Sequence, residues 1–517
     1  MKKINALFLA IPLSVLTLSA CGNTGFSPED AWKNIEIEKG INLLTHSFDK
    51  EKDTTIDVYI SGYASGYSVG VFERDAEPGS VKGPIRRKPV KDDVNIYSFN
   101  LSDLKKEGEY NLFLFDKNLD IVYDHEIIKV IDDDPTDYGV KNASVSVDTT
   151  TKLLTSSLSI ETEHLDNHVY YLYWAKDNVR LPNYTYIKKV NSSKASTFYV
   201  DFNEGMFAPS QASQIEIYVE EGRSTSYFVD VPNSLKLTNS TYQSTIQVAS
   251  DIHIESKYTC KNYNSHFLSS LTMAKNYEHS TSGMVFVGDS ANTGHKNNYD
   301  IFYEYIDSVF KTRPTLYPIV GNHELQYFDD YNDAIATYKE NTGMPGAYFT
   351  FELAGFKCFA LGSEDTSTHG IMSETQLSWF RTEIGKLDKN EKIMIFMHQG
   401  IYDTVSGTFP GHGWHGLNTK TSEIRDIIKQ YPNTFVFSGH SHQDLNCIQT
   451  SLFGKGEEAN YVNCGSSAYV LDDSREATYG STFYFVDIYS DYVLLKGFLS
   501  IENKWISASN YVVPFIK

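Results

Sequence analysis

The sequence predicts a mixed chain in which two β-rich domains precede one α/β domain. Before about residue 240, short runs alternate apolar and polar residues between turn-forming clusters, which is typical of β-sandwiches. After about residue 243, strand-like apolar runs alternate with helical spacing, which indicates an α/β domain. Eleven of the fifteen histidines lie after residue 250. We therefore expect the chemistry of the chain to lie in the α/β domain.

Length and charge narrow the class of protein. At 517 residues the chain is too long for one average domain, and about three domains are expected. The formal net charge is −21, and the pI is about 5.1. A general nucleic-acid-binding protein would carry a basic surface, so we expect no nucleic-acid partner beyond possible nucleotide substrates.

The amino terminus indicates export. A short basic start, Met1-Lys2-Lys3, precedes an apolar stretch at residues 6–18 that is too short for a comfortable membrane span. The sequence Leu-Ser-Ala-Cys ending at Cys21 resembles a bacterial lipobox. We expect a lipoprotein signal peptide at residues 1–20, a lipid on the Cys21 thiol, and anchoring to the bacterial cell membrane, facing outward. The alternatives are a plain signal peptide cut after Ala20 or a retained anchor.

The other cysteines leave the question of disulfides open. They are Cys260, Cys358, Cys447 and Cys464. Export permits disulfides, but a free buried thiol is equally compatible with the apolar runs around Cys358 and Cys464. The chain has no Cys-x-x-Cys pair, so a thiolate zinc site and a redox motif have no support.

Two β-sandwich domains are predicted, at residues 43–134 and 138–240, after a tether at 21–42. Alternation is clearest at residues 55–60, 110–115, 144–147, 169–174 and 215–219. Acidic residues around Pro135 indicate a linker between the two domains. Neither region contains a cluster of catalytic residue types. We interpret both as spacers, with a binding role as the alternative.

The α/β domain is predicted at residues 243–517. Its strands are expected at residues 246–250, 284–287, 315–320, 392–397 and 434–438, and the segment 445–517 is rich in further strands. Its helices are expected at residues 265–278, 299–310, 373–387 and 423–429. Ser373 and Gln376 have the spacing of a capping box at the start of the third helix.

Each of the five predicted strands ends in residues that can bind metal or act in catalysis. These residues are Asp251, His253, Asp289, Asn322, His323, Glu324, His398, His440 and His442. Carboxylate, imidazole and amide oxygen together suit Mn, Fe or Zn. In an extended chain, Asp-x-His and His-x-His place both side chains on one face. Taken singly, Asp289 or Asn322 is typical of a turn, but turns do not explain ligand types at five successive strand ends.

Over residues 245–490, this pattern resembles the calcineurin-like metallophosphoesterases. All five blocks are present in order, and residues 356–361 and 376–380 also resemble the family. The resemblance implies a four-layer αββα domain. The two preceding domains are expected to be sandwiches of the immunoglobulin or fibronectin III kind.

The resemblance also implies two divalent ions and a role for each motif residue. The implied ligands are Asp251, His253 and His442 for the first ion, Asn322, His398 and His440 for the second, and Asp289 as the bridge. His323 would not bind metal but would act as general acid or charge stabiliser at the leaving group, with Glu324 orienting it. The implied reaction is attack of metal-bound hydroxide on a phosphate ester at the cell surface.

The sequence departs from one branch of these enzymes. A β-sandwich before a phosphoesterase domain is similar to purple acid phosphatases, whose pattern replaces the histidine of Asp-x-His and adds a tyrosine ligand after the Gly-Asp block. Here His253 is present, and residues 290–293 contain no tyrosine. We therefore expect no tyrosinate–iron site.

The substrate stays open between a monoester and a diester. Loops beside the motifs contain residues that could contact it: Asn292, His295, His412, Trp414 and His415. A surface loop with incidental histidines is an equal alternative for residues 406–415. The competing function is a binding or adhesion lipoprotein with a weak or inactive phosphoesterase fold. A metallo-nuclease is disfavoured by the acidic charge.

Overall fold

A computed structural model describes most of the chain from residue 40 onward. Within 40–517, it leaves out residues 44–46, 50–54, 62–64, 75, 80–81, 92–95, 102–107, 120, 132–138, 163–167, 193–194, 220–225, 257–262, 411–415, 418, 448 and 479. The predicted signal peptide, Cys21, Cys260 and the linker at 132–137 therefore lie outside the described residues. In the part of the chain that is described, each helix is too short or too polar to cross a membrane.

The amino-terminal region consists of two small sheets. Its strands are β1 Gly40–Leu43, β2 Ser47–Asp49, β3 Thr55–Ser61, β4 Ser68–Glu73, β5 Arg86–Pro89, β6 Ile96–Asn100, β7 Gly108–Phe115 and β8 Ile121–Ile131. One sheet has the order β1-β3-β6, and the other has the order β2-β8-β7-β4-β5. Apolar side chains from both sheets, such as Val58 and Leu112, share one buried core. The first strand begins inside the predicted tether.

The second region is also all β. Its elements are β9 Val140–Asp148, β10 Thr155–Thr162, β11 Val169–Lys176, β12 Val179–Arg180, β13 Lys188–Asn191, β14 Thr197–Asp201, β15 Gln214–Val219, β16 Tyr227–Asp230 and a 3-10 turn at Asn233–Leu235. Strands β14-β10-β9 form one sheet, and β12-β11-β15-β16 form another, with β13 paired to β11. Alternating burial along β10 and β11 directs one face of each sheet into the shared core, as the sequence alternation predicts.

The third region contains the α-helices and two six-stranded sheets. Its elements are β17 Tyr242–Ala249, α1 Tyr263–Asn276, β18 Gly283–Val287, α2 Lys296–Val309, β19 Leu316–Ile319, α3 Tyr331–Thr342, β20 Phe349–Leu353, β21 Phe356–Ala360, α4 Glu374–Ile384, β22 Ile393–Phe396, α5 Thr421–Ile428, β23 Thr434–Ser438, β24 Ser451–Leu452, β25 Asn460–Asn463, β26 Val470–Leu471, β27 Ala477–Thr478, β28 Thr482–Tyr489, β29 Tyr492–Leu499 and β30 Lys504–Pro514. The first sheet has the order β19-β18-β17-β28-β29-β30. The second has the order β20-β21-β22-β23-β25-β24.

The two six-stranded sheets face each other across a buried apolar layer, with helices outside. Val285 of β18 and Phe396 of β22 both lie in the layer between the sheets. Phe286, the next residue along β18, points the other way and packs with α1 and α2. Ile395 points away from the layer on β22 and packs with α4 and α5. The packing therefore places helices on the outer face of each mixed sheet.

The second β region packs directly on the third region. One continuous buried core contains Trp174 of β11, Phe485 of β28 and Trp505 of β30. Hydrogen bonds also cross between them, since Ser507 Oγ donates to the carbonyl of Thr185 at 2.6 Å. The predicted spacer is thus fixed against the domain that carries the motifs.

Several elements differ from the predicted ones. The helix α3 and the hairpin strand β20 were not predicted. Ser373 caps α4 and accepts a hydrogen bond from the Gln376 amide at 3.1 Å, but the side chain that returns to the Ser373 amide is that of Glu364, at 2.7 Å. The Gln376 side chain turns inward and donates to the carbonyl of Gly362. Cys358, Cys447 and Cys464 are buried free thiols.

Candidate metal centre

The nine predicted motif residues follow strands of both six-stranded sheets. Strands β17, β18 and β19 are parallel in the first sheet, and β22 and β23 are parallel in the second. Because parallel strands end at the same edge, the residues that follow them meet there. The five strand ends converge on one cluster of side chains.

The first group in this cluster consists of Asp251, His253 and His442. Their potential ligand atoms all lie within 4.8 Å of one another, and all three residues are buried. Nε2 of His442 lies 3.1 Å from Oδ1 of Asp251 and 3.1 Å from Nε2 of His253. Two imidazole nitrogens at this separation need a proton or a cation between them, so the group suits a divalent ion.

The second group consists of Asp289, His398 and His440, which also have their ligand atoms within 4.8 Å of one another. Asn322 joins this group, because its Oδ1 lies 3.1 Å from Nε2 of His398. Oδ2 of Asp289 lies 3.1 Å from Nε2 of His398 and 3.9 Å from Nε2 of His253. Oδ2 of Asp289 therefore lies near histidines of both groups.

Backbone carbonyls orient two of the imidazoles. Nδ1 of His398 donates to the carbonyl of Val287 at 2.7 Å, and Nδ1 of His442 donates to the carbonyl of Tyr469 at 3.1 Å. Because a carbonyl holds each Nδ1, Nε2 is the ring nitrogen that faces the cluster in both residues. Such a carbonyl partner is usual behind a histidine that binds a metal.

The two oxygens of Asp251 have different surroundings. Oδ2 accepts hydrogen bonds from Ser250 Oγ at 2.6 Å and from the His440 amide at 2.9 Å. Oδ1 is buried without a hydrogen-bond donor and faces the histidine nitrogens. A buried carboxylate oxygen left in this way is costly unless a cation pairs with it. The residues present therefore fit metal ions.

Burial and mutual proximity shift the pKa values in the cluster. Burial lowers the pKa of His253 and that of His440 to about 3, so both imidazoles are neutral and able to bind metal. Burial alone would raise the pKa of Asp289, but the neighbouring histidines outweigh burial and hold this pKa well below its usual range. Burial alone would lower the pKa of His398, but the carboxylates of Asp289 and Asp251 outweigh burial and raise this pKa to about 10. The carboxylates thus stay ionised.

The backbone turns sharply at five of the predicted ligands. Left-handed φ angles occur at Asp251 (52°), His253 (51°), Asp289 (51°), His440 (68°) and His442 (53°). Such a conformation costs a non-glycine residue roughly 1–2 kcal/mol. Strain of this kind concentrates at functional sites, where surrounding contacts hold it in place.

Two glycines allow the strand ends to approach one another closely. A Cβ on Gly439 would lie 2.5 Å from Oδ2 of Asp251 and would overlap Ser250. A Cβ on Gly321 would overlap the Asp289 carboxylate. Close packing in the cluster therefore requires glycine at position 439, before His440, and at position 321, before Asn322.

Comparison with known proteins identifies the region that carries the cluster. The family model of calcineurin-like phosphoesterases matches residues 244–444. The match covers less than half of the chain. It indicates a calcineurin-like phosphoesterase domain in this region, whose His and Asp groups are compatible with a metal site. No curated protein matches the chain significantly in sequence.

Solved structures give more distant likenesses. A purple acid phosphatase from yellow lupin (Lupinus luteus) is 10% identical, with 91% of this chain and 95% of that chain covered and a TM-score of 0.39. A protein of Streptococcus pneumoniae, described as a predicted phosphoesterase, is 12% identical, with 52% of this chain and 97% of that chain covered and a TM-score of 0.26. The vacuolar protein sorting 29 protein of Cryptosporidium parvum is 11% identical, with 53% of this chain and 100% of that chain covered and a TM-score of 0.27.

His323 lies beside the candidate metal ligands. One ring nitrogen of His323, one of His253 and one carboxylate oxygen of Asp289 lie within 4.8 Å of one another, so distance alone would allow His323 to bind a metal. Nδ1 donates to the carbonyl of Asn292 at 2.8 Å, and the His323 amide donates to Oδ1 of Asp289 at 2.8 Å. Nε2 is then the atom left to face a substrate, and the ring is only partly buried.

The Glu324 carboxylate contacts backbone amides, and among the described hydrogen bonds none joins it to the His323 ring, whose predicted orientation by Glu324 stays a prediction. Its Oε2 accepts the amides of Gly321 at 2.7 Å and Asp289 at 2.9 Å, and its Oε1 accepts the amide of Ala291 at 3.1 Å. Burial and the nearby Asp289 raise the pKa of Glu324 to about 7. Glu324 holds the loop that carries Asp289, while the carbonyl of Asn292 orients His323.

The predicted substrate residues fall in different places. Asn292 is next to the cluster, and its side chain donates to Glu255 at 3.0 Å. His295 is exposed at the N-cap of α2, with its ring centroid 4.8 Å from that of Phe328. Among the described contacts, none joins His295 to the metal ligands. His412, Trp414 and His415 lie outside the described residues.

The structure also shows supporting residues that were not predicted. Nδ2 of Asn322 donates to Oε1 of Gln326 at 3.2 Å, which turns the amide oxygen of Asn322 toward His398. Ser250 holds one oxygen of Asp251, and Tyr469 holds His442. Ser250 and Gln326 could have been noticed, since they lie one and four residues from a predicted ligand. Tyr469 is far from His442 in sequence and carries no local signal.

Proposed function

We propose that the chain hydrolyses phosphate esters with two divalent ions held between its two large sheets. The observation that supports this most is the joined cluster, in which Asp289 lies within reach of histidines from both ligand groups. Two ions sharing one carboxylate would lie near enough to act on a single phosphoryl group. The number of ions and their identity, among Mn, Fe and Zn, are part of this proposal.

The described residues match the needs of such ions. Asp251, with His253 and His442, would hold one ion, and His398, with His440 and Asn322, would hold the other, with Asp289 between them. When bound, the ions would supply Lewis-acid polarisation of the phosphate and would lower the pKa of a water molecule. Gly321 and Gly439 keep the strand ends close enough for one cluster to form.

His323 would act on the leaving group. Its Nδ1 proton is committed to the carbonyl of Asn292, so Nε2 can carry a second proton toward the substrate. Donation of that proton to the departing oxygen neutralises the charge that develops as the P–O bond breaks. Partial exposure of the ring gives a substrate access to it.

We further propose that the chain is exported and lipid-anchored through Cys21, with the membrane as its partner. This rests on the lipobox-like sequence before Cys21. The β regions at 43–134 and 138–240 would be immunoglobulin- or fibronectin III-like modules. They would hold the phosphoesterase domain, at 243–517, away from the membrane. Labelling with a lipid precursor in a bacterial host, with Cys21→Ala as control, tests the anchor.

The enzymatic proposal is tested with the full chain in detergent. Metal content is measured first, and p-nitrophenyl phosphate and bis(p-nitrophenyl) phosphate are then assayed after chelation and after Mn, Fe or Zn is returned. The proposal expects hydrolysis that disappears on chelation and returns with one of these ions. Two bound ions without turnover of either ester would instead support the binding-protein alternative.

A further inference from the structure

A row of aromatic rings crosses the candidate metal centre. The ring centroid of Tyr327 lies 5.6 Å from that of His323, which lies 4.4 Å from that of His253. The His253 ring lies 5.0 Å from the His442 ring. The His442 ring lies 4.3 Å from the Tyr469 ring, which in turn lies 5.6 Å from the Tyr263 ring. Of the three histidines in the middle, His253 and His442 are candidate metal ligands and His323 lies beside them, and a tyrosine lies at each end.

The tyrosine at the first end is unusually exposed. Tyr327 shows 47% of its surface, while most large aromatic side chains of the phosphoesterase domain are buried. It lies next to His323, the residue that we place at the leaving group. An exposed aromatic face at this position provides a surface on which a planar leaving group can stack.

The other end carries a stacked pair. The rings of Tyr263 and Tyr469 are inclined by only 27°, and both residues are partly buried. Tyr469 also holds His442 through its backbone carbonyl, so the pair is fixed relative to the first group of ligands. Both rings also lie 6.4 Å from the ring of His253, and among the described ring pairs neither contacts His323 or Tyr327. A planar group placed against this pair would therefore border the first group of ligands rather than His323.

We propose that the candidate metal centre binds a phosphodiester with two planar ester groups, one against Tyr327 and one against Tyr263 and Tyr469. This rests on the proposed function. A monoester has a single organic group and would use only one end of the row. A diester places its phosphate at the histidines and an organic group at each end. Nucleobases and aryl groups share the planar chemistry that these surfaces recognise.

The reaction then consumes one water per diester. The water oxygen forms a bond to phosphorus, and the P–O bond to the group beside Tyr327 breaks. Nε2 of His323 gives its proton to the departing oxygen, and a proton from the attacking water returns the imidazole to its starting state. The products are a phosphomonoester, whose remaining group lies near Tyr263, and an alcohol or phenol.

Three esters separate the two ends of the row. Bis(p-nitrophenyl) phosphate has a planar group at both ends, methyl p-nitrophenyl phosphate has one only as leaving group, and p-nitrophenyl phosphate is the monoester. Tyr263→Ala should lower kcat/KM roughly tenfold for the first ester and less than about twofold for the second. Tyr327→Ala should lower kcat/KM roughly tenfold for both diesters. Tyr263→Phe and Tyr327→Phe should each lose less kcat/KM than the alanine variant at the same position, because the ring remains.

Controls separate recognition from damage. Metal content must stay unchanged in every variant, and Tyr199→Ala, which truncates a tyrosine 72% exposed in the second β region, should behave as the wild type. Calorimetry with diphenylphosphinate, which is not hydrolysed, should show about tenfold weaker binding to Tyr263→Ala, with dimethylphosphinate unaffected.

The outcomes distinguish this inference from the proposed function. Hydrolysis of the monoester in clear preference to both diesters would leave a phosphoesterase but overturn the diester inference. Equal losses for both diesters in Tyr263→Ala would overturn the role of the Tyr263 end. Absence of hydrolysis of all three esters by the metal-loaded wild type would overturn the proposed function itself.

Discussion

Oδ2 of Asp289 lies 3.1 Å from Nε2 of His398, although Asp289 follows a strand of the first large sheet and His398 follows a strand of the second. The candidate metal centre therefore lies across the seam between the two sheets. An ion bound there would connect the sheets directly. Stability and catalysis should consequently depend on the same cluster.

Metal removal should lower the thermal stability of the protein. An ion present at about 1,000 times its Kd stabilises the folded state by about 4 kcal/mol, which corresponds to a rise in Tm on the order of 10 °C. Calorimetric scans with chelator and with returned Mn or Zn measure this difference. Asp289→Asn should bind less metal and show a much smaller rise. An equal Tm with and without metal would contradict a site that spans the seam.

His323→Ala should separate catalysis from metal binding. Loss of a general acid is expected to lower kcat roughly 10²–10⁴-fold while both ions stay bound. Steady-state kinetics on a diester, together with metal analysis of the same sample, measures both quantities. The variant removes the imidazole together with its hydrogen bond to the carbonyl of Asn292 but leaves the candidate metal ligands unchanged. Loss of one ion would show that His323 is a ligand, as its distance to His253 and Asp289 allows.

Glu324→Gln should loosen the loop that carries Asp289. The carboxylate accepts three backbone amides, and a glutamine side chain would present a donor where one or two of them now bind. A buried donor left unpaired costs about 1–3 kcal/mol. Urea denaturation should show this loss together with weaker metal binding. Glu340→Gln, on the exposed face of α3, is the matched control and should change neither.

Lys496→Met should make stability depend more steeply on pH. Lys496 and Asp487 are fully buried, with Nζ 2.6 Å from Oδ2, and breaking such a pair costs about 3–5 kcal/mol. Burial raises the pKa of Asp487 to about 8 in the wild type, and loss of the neighbouring ammonium removes a group that favours the ionised carboxylate. The folded variant therefore keeps the Asp487 proton to a higher pH than the wild type does, and its stability falls further as pH rises above the ordinary carboxyl pKa.

Denaturation of Lys496→Met at several pH values measures this effect. The double variant Lys496→Met with Asp487→Asn removes the carboxylate and should lose most of the pH dependence. A flat profile in the single variant would show that Asp487 is not held as a buried acid.

Local signals in the sequence were enough to predict which side chains meet in the cluster. Asp251, Asp289 and His398 each lie two residues after the end of a buried strand, so their place at the sheet edge is a property of neighbouring residues. The helix α3 also has local signals, since Asp330 caps its start and Gly343 ends it with a φ of 74°. It was missed because few of its residues, such as Ala334 and Tyr338, are buried and apolar.

Features that depend on distant residues could not be predicted. The donors to Glu324 include Asp289 and Ala291, more than thirty positions earlier in the chain. The packing of the second β region on Trp505 joins segments about three hundred residues apart. Alternation identifies a strand and its buried face, but it does not identify the partner against which that face packs.

Hydrolysis of bis(p-nitrophenyl) phosphate by the full chain, with its metal content known, tests the proposed metal-dependent activity most directly. We expect turnover that chelation abolishes, that a divalent ion restores, and that Asp289→Asn lacks. Turnover that persists after complete removal of metal would contradict this proposal, and so would two bound ions with no hydrolysis of this diester or of p-nitrophenyl phosphate.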